Sequence, residues 1–439
     1  MSSSTASSNT PPAKKSPDLP AVKLPRDIKV LVAAAFMIAI GFGIVAPVLP
    51  QFAQSFDVSV SAAAVVVSAF AFTRLLFAPM SGWLVERMGE RRTYILGILI
   101  VAASSAACAF AQNYWQLLLY RGLGGIGSTM FTVAAMGLLI RLAPPQARGR
   151  ISSLYAGSFL LGNIAGPAVG GLLAGLGMQL PFLVYAAALV LVALLVATQL
   201  PSVAAAARRA AAQARTGAAT DNGTSFQSGR GTSNGAGVST AVKKAVLPLR
   251  EALGMPAYRA VLTSGFANGW SAFGIRMALV PLFATVALEA GTEVAGLSLA
   301  VFAVGTGVAL TFSGKLADAW GRKPMILSGL AVNGIAMGVL GFTGNEFWFF
   351  LVSAIAGLGS GLMGPAQQAV VADVIGNERS GGKVLATFQM SSDLGAIIGP
   401  IAAGMLVDAF SFGPAFLMAT AVALISFLFW LPAKDTKLL

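Results

Sequence analysis

Long apolar segments recur along the whole chain, and each is long enough to cross a membrane as a helix. A helix needs about 20 predominantly apolar residues to span a hydrocarbon core. The segments cover residues 28–50, 60–84, 93–112, 115–141, 151–176, 180–200, 258–287, 293–318, 324–343, 346–374, 383–408 and 412–431. This pattern lacks the short alternating strands of a membrane barrel. It predicts an all-α integral membrane protein with 12 transmembrane helices.

The regions between and beyond these segments divide the chain into two halves. Residues 201–257 are rich in Ala, Arg, Gly, Ser and Thr, as in a flexible linker. The linker separates two bundles of six helices, residues 28–200 and 258–431. Residues 1–27 form a polar tail without the apolar core of a cleavable signal, and 432–439 form a second tail. Both tails and the linker are expected in the cytoplasm.

The basic residues support that orientation. Lys and Arg accumulate in loops that stay inside the cell. Of the 29 Lys and Arg residues, all except Arg74, Arg121 and Arg276 fall in the tails, the linker or loops on the same side as the tails. The formal charge of +13 is therefore explained by topology, and nucleic acid is not an expected partner. The expected partner is the lipid bilayer.

Residue content also limits the chemistry. Only 10% of the residues are charged, against about 25% in soluble domains. The chain has no histidine and one cysteine, Cys108, inside an apolar segment. Zinc sites, Ser-His-Asp triads and imidazole relays are excluded on this basis. We expect no enzyme activity, no metal and no cofactor.

A glycine-containing turn occurs twice, 232 residues apart. We name Gly82, Glu86, Gly89 and Arg91 the first glycine turn. The second glycine turn contains Gly314, Asp318, Gly321 and Arg322, followed by Lys323. Both resemble the G-x-L-a-D-r-x-G-r-k pattern of the major facilitator superfamily, with Glu86, Glu90 and Ala319 as departures. The resemblance covers residues 28–431.

Membership of that superfamily implies two six-helix bundles related by pseudo-twofold symmetry. It also implies that the glycine turns are conformational latches, because an acidic residue at a helix end attracts basic residues and the N terminus of a neighbouring helix. Simple solvation of a positively charged loop is the alternative interpretation. The duplication favours the latch.

The fifth segment contains a second motif. Gly162, Gly166, Pro167, Gly170 and Gly171 resemble the g-x-x-x-G-P-x-x-G-G pattern of the antiporter branches of the superfamily, and an echo runs from Gly395 to Gly404. The proline removes a backbone hydrogen bond and the glycines remove side-chain bulk, which predicts a kinked, tightly packed helix. Pro47-Val-Leu-Pro50 likewise resembles the P-x-x-P of twelve-helix drug exporters. Ordinary small-residue packing is the alternative.

Arg121 begins an R-x-x-x-G-x-G stretch in the fourth segment. The spacing of Gly122, Gly124 and Gly127 matches the glycine pattern of a dinucleotide-binding site. No strand precedes these glycines and they lie within an apolar segment, so close packing of helices is the preferred interpretation. The stretch resembles the fourth helix of proton-coupled facilitators, and this resemblance implies a part for Arg121 in proton coupling. An arginine bonded to backbone carbonyls is the structural alternative.

Asp393 is the only carboxylate deep within a segment. A low dielectric favours the protonated form of a carboxyl group unless a cation opposes it, so Asp393 is the leading proton site. Arg74 and Asp393 each lie about 15 Å from the inner surface, on helices that face each other in the superfamily fold. We expect them to be in contact, directly or through water. A purely structural bridge remains the alternative.

Polar and adaptable side chains complete the expected substrate cavity. By resemblance, the first, fourth, seventh and tenth helices line it. The candidates are Arg276, Asn268, Gln367, Gln368, Gln389, Trp270, Phe36 and Met37, with Phe273 and Met277 as further apolar wall. A lipid-facing position is the alternative for each.

The resemblance implies a monomeric secondary transporter in a bacterial plasma membrane, exporting a small amphipathic compound in exchange for protons. A transporter of sugars, organic anions or siderophores on the same fold is the second interpretation, because three buried arginines against one deep carboxylate favour neutral or anionic cargo. A receptor or an ion channel is a third, disfavoured by the duplicated turn.

Overall fold

The computed structural model describes residues 26–142, 148–200, 245–376 and 379–436. Residues 1–25, most of the predicted linker (201–244) and the end of the second tail (437–439) lie outside these ranges.

The described chain contains 12 helices that are long and apolar enough to cross a membrane, as the sequence predicts. We number them α1 to α12. They are α1 (Arg26–Gln54), α2 (Val60–Met88), α3 (Glu90–Ala109), α4 (Tyr114–Leu142), α5 (Arg148–Ala174), α6 (Leu180–Gln199), α7 (Pro256–Ala287), α8 (Thr292–Trp320), α9 (Arg322–Leu340), α10 (Glu346–Ile375), α11 (Gly382–Ala409) and α12 (Phe412–Trp430). The all-α prediction is confirmed.

The repeat detected in the sequence is visible in the backbone. The left-handed region of φ is occupied by Asp57 (φ 55°) and Glu289 (φ 51°), which are 232 positions apart. It is also occupied by Gly89 (φ 81°) and Gly321 (φ 112°), again 232 apart. Non-glycine residues rarely adopt this conformation, so the correspondence of Asp57 and Glu289 is a specific sign of two copies of one unit.

Each unit packs its helices in the same way. In the first half, α1 packs against α5 and α6, and α4 packs against α2 and α3. In the second half, α7 packs against α11 and α12, and α10 packs against α8 and α9. Close glycine contacts repeat too: a Cβ added to Gly97 would lie 2.7 Å from the Gly127 carbonyl, and one added to Gly329 would lie 2.7 Å from that of Gly359. Small residues allow such backbone approach.

The halves meet along two seams, α2 against α11 and α5 against α8. We call the side that carries Arg26, Gln199 and Trp430 the tail side. On the opposite side the seams are tight: a Cβ on Gly404 would lie 2.7 Å from Ser61 Cα, and one on Gly296 would lie 2.3 Å from the Pro167 carbonyl.

On the tail side, no hydrogen bond or close glycine contact joins the two halves among the described residues, whereas several do on the opposite side. A Cβ added to any of several glycines there would meet nothing within 4 Å; these are Gly82, Gly157, Gly314, Gly364 and Gly382. On α2, Leu76 and Trp83 are more than half exposed. The structure is therefore closed on the opposite side and open on the tail side.

Two helices depart from regular α geometry. The first part of helix α1 ends at Val45, and after a turn the helix resumes over Leu49–Gln54. Gln51 Nε2 donates to the Pro47 carbonyl in that turn at 2.7 Å. Helix α7 contains π-helical turns at Gly269–Ile275 and Phe283–Ala287. The first π segment lies against α11, where a Cβ on Gly269 would be 1.9 Å from the Ser392 carbonyl.

The last part of the predicted linker is ordered. Ala245–Val246 pairs in parallel with Arg379–Ser380, and Leu249–Gly254 forms a short helix. Glu251 forms an ion pair with Arg379 at 2.8 Å. These contacts attach the segment preceding α7 to the connection between α10 and α11, so regular structure begins earlier than the predicted boundary at 258.

Candidate functional site

A cavity of about 250 Å³ lies between the two halves. The first half contributes α1, α2 and α4, and the second half contributes α7 and α11. Its lining residues are Phe42, Ala46, Leu49, Val67, Phe70, Ala71, Arg74, Arg121, Phe273, Met277, Gln389, Ser392, Asp393 and Ala396. The wall is thus mostly apolar, with a few convergent polar and charged groups, as is typical of ligand sites.

Arg121 brings a buried guanidinium to this cavity. Its Cζ lies 4.2 Å from the ring centre of Phe70 and 5.7 Å from that of Phe42. Cation–π contact of this kind stabilises a charge that has left water, by about 2 kcal/mol or more when desolvated. The residue is 8% exposed, and its Nε has no hydrogen-bond partner among the described residues. The cation is therefore held by aromatic faces, in contrast to the predicted alternative of backbone carbonyls.

The glycines that follow Arg121 explain how it reaches this position. A Cβ on Gly125 would lie 2.0 Å from Thr73 Oγ1, and one on Gly124 would lie 2.6 Å from Ser104 Oγ. Thr73 Oγ1 also donates to the Gly122 carbonyl at 2.7 Å. The glycine run thus packs α4 against α2 and α3, which favours the packing interpretation over the dinucleotide fingerprint.

Asp393 and Arg74 line the same cavity from opposite halves. The carboxylate interacts electrostatically with Arg74 and accepts a long hydrogen bond of 3.5 Å from Gln389 Nε2, one turn earlier on α11. No ion pair within 4 Å joins Asp393 to Arg74 in the described part of the chain. The two charges therefore share one cavity without closing a direct salt bridge.

Arg276 and Trp270, predicted to line the cavity, lie elsewhere. The Arg276 guanidinium lies 4.4 Å from the ring centre of Phe302, and its Nε donates to the Ala272 carbonyl at 2.7 Å. Trp270 is 6% exposed and packs beside Phe266 with ring centres 5.7 Å apart. Trp270 lies in the first π segment, and Arg276 follows it directly. The prediction assumes α-helical periodicity there, and a π turn changes which side chains face the cavity.

The other predicted cavity residues are also displaced from the wall. Gln367 is buried, with Nε2 unpartnered among the described residues, whereas Gln368 is exposed. Asn268 Oδ1 accepts from Ser360 Oγ at 3.2 Å, between α7 and α10. Phe36 and Met37 are half-buried on α1, and the Phe36 carbonyl would lie 2.9 Å from a Cβ on Gly162. Among the predicted set, Gln389 lines the cavity, together with Phe273 and Met277.

Phe42 and Phe70 are cavity residues that sequence reasoning did not single out. Neither differs in type or spacing from the other apolar residues of its helix. The repeat is the one sequence signal that could have indicated Phe70, because Phe70 and Phe302 are 232 positions apart. In the structure an arginine lies over each of these two rings.

The antiporter-like motif in α5 lies on two contact surfaces. Added Cβ atoms at Gly162, Gly166 and Gly170 would lie 2.1 to 2.6 Å from atoms of α1, including the carbonyls of Ile40 and Ile44. Gly171 instead faces the other half, where its Cβ would lie 2.7 Å from the Thr292 carbonyl. Pro167 lies within the helix and its carbonyl faces Gly296. The motif therefore joins close packing within one half to the α5–α8 seam.

The first glycine turn lies on the tail side and connects α2 to α3. Gly89 ends α2 with its amide donating to the Val85 carbonyl at 2.9 Å. Arg91 Nη2 donates to the Ala197 carbonyl at the end of α6, at 2.5 Å. Glu86 and Gly82 face open space: Glu86 is exposed, and no hydrogen bond or ion pair holds it in the described ranges.

The second glycine turn is attached to the second tail. Asp435 accepts hydrogen bonds from the amides of Arg322 (3.2 Å) and Lys323 (3.3 Å) at the start of α9. Lys323 Nζ donates to the carbonyls of Leu431 and Ala433 at 2.8 and 2.7 Å. Arg322 forms an ion pair of 2.7 Å with Asp373. Asp318 is exposed and Gly314 faces open space.

No cluster of three or more His, Cys, Asp or Glu side chains suited to a metal occurs in the residues that the structure covers.

The charged residues of the cavity are Arg74, Arg121 and Asp393. They suit attraction of a charged ligand and movement of a proton.

Comparison with known proteins gives a consistent result. The family model described as Major Facilitator Superfamily matches residues 31–285 and 261–438. The chain is 27% identical over 157 residues to the quinolone resistance protein NorA of Staphylococcus aureus, covering 36% of this chain and 40% of that protein. It is 29% identical over 164 residues to multidrug resistance protein 2 of Bacillus subtilis, covering 37% and 41%. The alignments thus span about two fifths of these relatives.

Solved structures share the fold at low identity. A D-xylose–proton symporter aligns with a TM-score of 0.71 and 16% identity over 93% of this chain and 98% of that one. A bacterial homologue of the lysosomal transporter Spinster, in an inward-facing and occupied conformation, aligns with a TM-score of 0.70 and 16% identity over 92% and 95%.

Proposed function

Because this chain belongs to the Major Facilitator Superfamily, and is therefore a membrane transporter, we propose that it exports a small amphipathic compound in exchange for protons. The observation that carries the proposal is the cavity between the halves, which combines an aromatic wall with Asp393, Arg74 and Arg121. The drug-resistance relatives add support, although they align over less than half of their length. The substrate is bound at the cavity and protons are the coupling ion.

The proposed orientation places the tail side in the cytoplasm of a bacterial cell. Basic residues lie on that side, in agreement with the positive-inside rule. The structure is then open to the cytoplasm and closed to the exterior. We assign the two bundles to residues 28–200 and 258–431 and infer that the protein functions as a monomer.

The proton step follows from the charges in the cavity. In the outward-open state a proton from outside neutralises Asp393, and Arg74 loses its anionic neighbour. In the inward-open state the carboxyl group releases the proton to the cytoplasm and interacts with Arg74 again. A membrane potential of 100 mV supplies about 2.3 kcal/mol for each charge moved, which is enough to drive export. Arg121 keeps the cavity positive when Asp393 is protonated.

The glycine turns act on the same cycle as latches. Glu86 lies at the end of α2 and is free of described partners in this tail-open state. When the tail side closes, Glu86 approaches the N terminus of α11 and stabilises the closed form through charge–dipole attraction.

Transport in proteoliposomes tests the proton site. Under an imposed pH gradient, Asp393→Asn should reduce gradient-driven transport of an aromatic probe by on the order of 100-fold. The reason is that an asparagine side chain cannot bind and release the coupling proton. Substrate exchange without a gradient should persist in the same variant, because exchange requires no net proton movement. Undiminished gradient-driven transport would remove Asp393 from the role of proton carrier.

A second candidate function is transport of an anionic or neutral compound such as an organic acid, a sugar or a siderophore. It is favoured by the lining of the cavity, where two guanidinium groups face one carboxylate. Ethidium and 2-naphthoate are suitable cationic and anionic aromatic probes. Preference for naphthoate would support this candidate over export of cationic drugs.

A further inference from the structure

We propose that Asp408 is a gating residue that holds α11 against the N terminus of α2, and that Asp408 and Glu86 form a two-ended latch whose ends are engaged alternately. The proposal rests on the alternating access of the proposed function. It adds a second contact, on the opposite side, to the tail-side latch.

The contact made by Asp408 joins the two halves directly. Its Oδ1 accepts from the Val60 amide at 2.9 Å and its Oδ2 accepts from the Ser61 amide at 3.0 Å. Both amides belong to the first turn of α2, where backbone donors have no partner within the helix. The carboxylate also meets the positive end of the helix dipole. A residue from the second half thus supplies a helix cap to the first half.

The same two helices carry the complementary arrangement at their other ends. Helices α2 and α11 are antiparallel, so the acidic C-terminal end of each is on the same side of the protein as the N terminus of the other. Glu86 follows Ser61 by as many residues as Asp408 follows Lys383, about 37 Å along a helix. Each acid is therefore matched in position to the first turn of the neighbouring helix.

One end is engaged here, and the other has no partner among the residues that the structure describes. The N-terminal cap of α11 is Gly381, which provides no side-chain hydrogen bond, and a Cβ on Gly382 would meet nothing within 4 Å. Glu86 has no hydrogen bond or ion pair within the described part of the chain. Rocking of the halves that brings Glu86 to α11 separates Asp408 from α2, so the two contacts exclude one another.

The other seam lacks this device in the described ranges. Thr292, the repeat equivalent of Val60, donates its hydroxyl to the Gly171 carbonyl at 3.2 Å, a neutral bond. The acidic latch therefore distinguishes the α2–α11 seam from the α5–α8 seam. We place the energetic control of opening at the former.

Labelling of introduced cysteines tests the proposal in membranes. In a Cys108→Ser background, Ala64→Cys reports opening on the opposite side, because Ala64 is fully buried beside residues of the second half. Leu76→Cys reports the tail side, where Leu76 is 60% exposed. An impermeant maleimide is applied to vesicles of each orientation.

Asp408→Ala should raise the labelling rate of the Ala64→Cys reporter about tenfold and lower that of the Leu76→Cys reporter, because two charge-assisted hydrogen bonds are lost. Asp57→Asn is the matched control: it removes a charge from the same side and keeps a residue suited to positive φ. It should leave both rates within about twofold. Glu86→Gln should lower labelling of the Ala64→Cys reporter.

Val60→Pro provides a second test that preserves the helix. Proline is favoured at the first helical position, and Ser59 before it is already extended (ψ 164°). The variant deletes one amide donor to Asp408 and should raise labelling of the Ala64→Cys reporter by about threefold or more. Equal effects of Asp408→Ala and Asp57→Asn, or shifts in the same direction for Asp408→Ala and Glu86→Gln, would overturn the proposal. These rates need neither substrate nor gradient, so they are independent of failure of proton-driven export.

Discussion

Phe70 in the first half and Phe302 in the second are repeat equivalents, and each lies under a guanidinium group. In the first half the cation is Arg121 from α4, 4.2 Å away, and in the second it is Arg276 from α7, 4.4 Å away. Arg121 borders the central cavity, whereas Arg276 is enclosed within its own bundle. The position equivalent to Arg121 is Ser353, whose hydroxyl is buried and unpartnered among the described residues.

This difference shows that the two copies share a scaffold but contribute different charges to the cavity. Both cations of the cavity, Arg74 and Arg121, come from the first half, and its carboxylate, Asp393, comes from the second. Under the proposed alternating access, rocking of one half against the other would change the distance between these opposite charges. A symmetric arrangement of charges would lack that coupling.

The largest expected effect separates the two arginines. Arg121→Met should reduce gradient-driven transport by on the order of 100-fold, because the cavity loses its buried cation. Arg276→Met should leave the rate within about threefold, since that guanidinium is outside the cavity. Initial rates in proteoliposomes at equal protein content measure both. Similar losses in the two variants would contradict the division of roles.

A smaller effect distinguishes the glycine-proline helices. The Gly-Pro motif repeats with an offset of 233 residues, since Gly166-Pro167 aligns with Gly399-Pro400. Gly170 in α5 therefore corresponds to Ala403 in α11, so the second half already accommodates a methyl group. In the first half a Cβ at Gly170 would lie 2.1 Å from the Ile44 carbonyl. Gly170→Ala should lower the free energy of unfolding by about 1 to 3 kcal/mol through overpacking. Thermal unfolding in detergent measures this.

The control for that variant is Gly82→Ala. A Cβ there meets nothing within 4 Å, and alanine is the better helix former. No destabilisation is expected. A melting temperature for Gly170→Ala equal to that of the parent would show that α1 and α5 move apart to accept the methyl group without loss of stability.

The smallest expected effect concerns the two glycine turns. Only the second is capped by Asp435 among the residues described, so Asp435→Ala should destabilise the first turn of α9 by about 1 kcal/mol. Hydrogen exchange at the amides of Arg322 and Lys323 should then rise about fivefold. The amides of Arg91 and Arg92 in the first half serve as the internal reference. Equal increases in both halves would indicate general loosening of the protein.

The fold was predictable from the sequence because membrane helices must satisfy their own backbone hydrogen bonds, which makes apolar length a strong signal. The 232-residue repeat likewise identified the glycine turns and the paired motifs. The placement of Arg276 and Trp270 was not predictable, since the π turns of α7 alter which residues face the cavity. The cap made by Asp435 was also missed, because the sequence marks 432–439 as a tail.

On the closed side, the seams place backbone against backbone at three glycines. Gly171, Gly296 and Gly404 bring main chain against main chain across the halves, alongside the side-chain hydrogen bonds of Asp408 and Thr292. A glycine brings no side chain to such a contact, so no rotamer has to change at these three points when the surfaces part. Under the proposed alternating access, we expect these points to part and meet again without any side-chain rearrangement of their own.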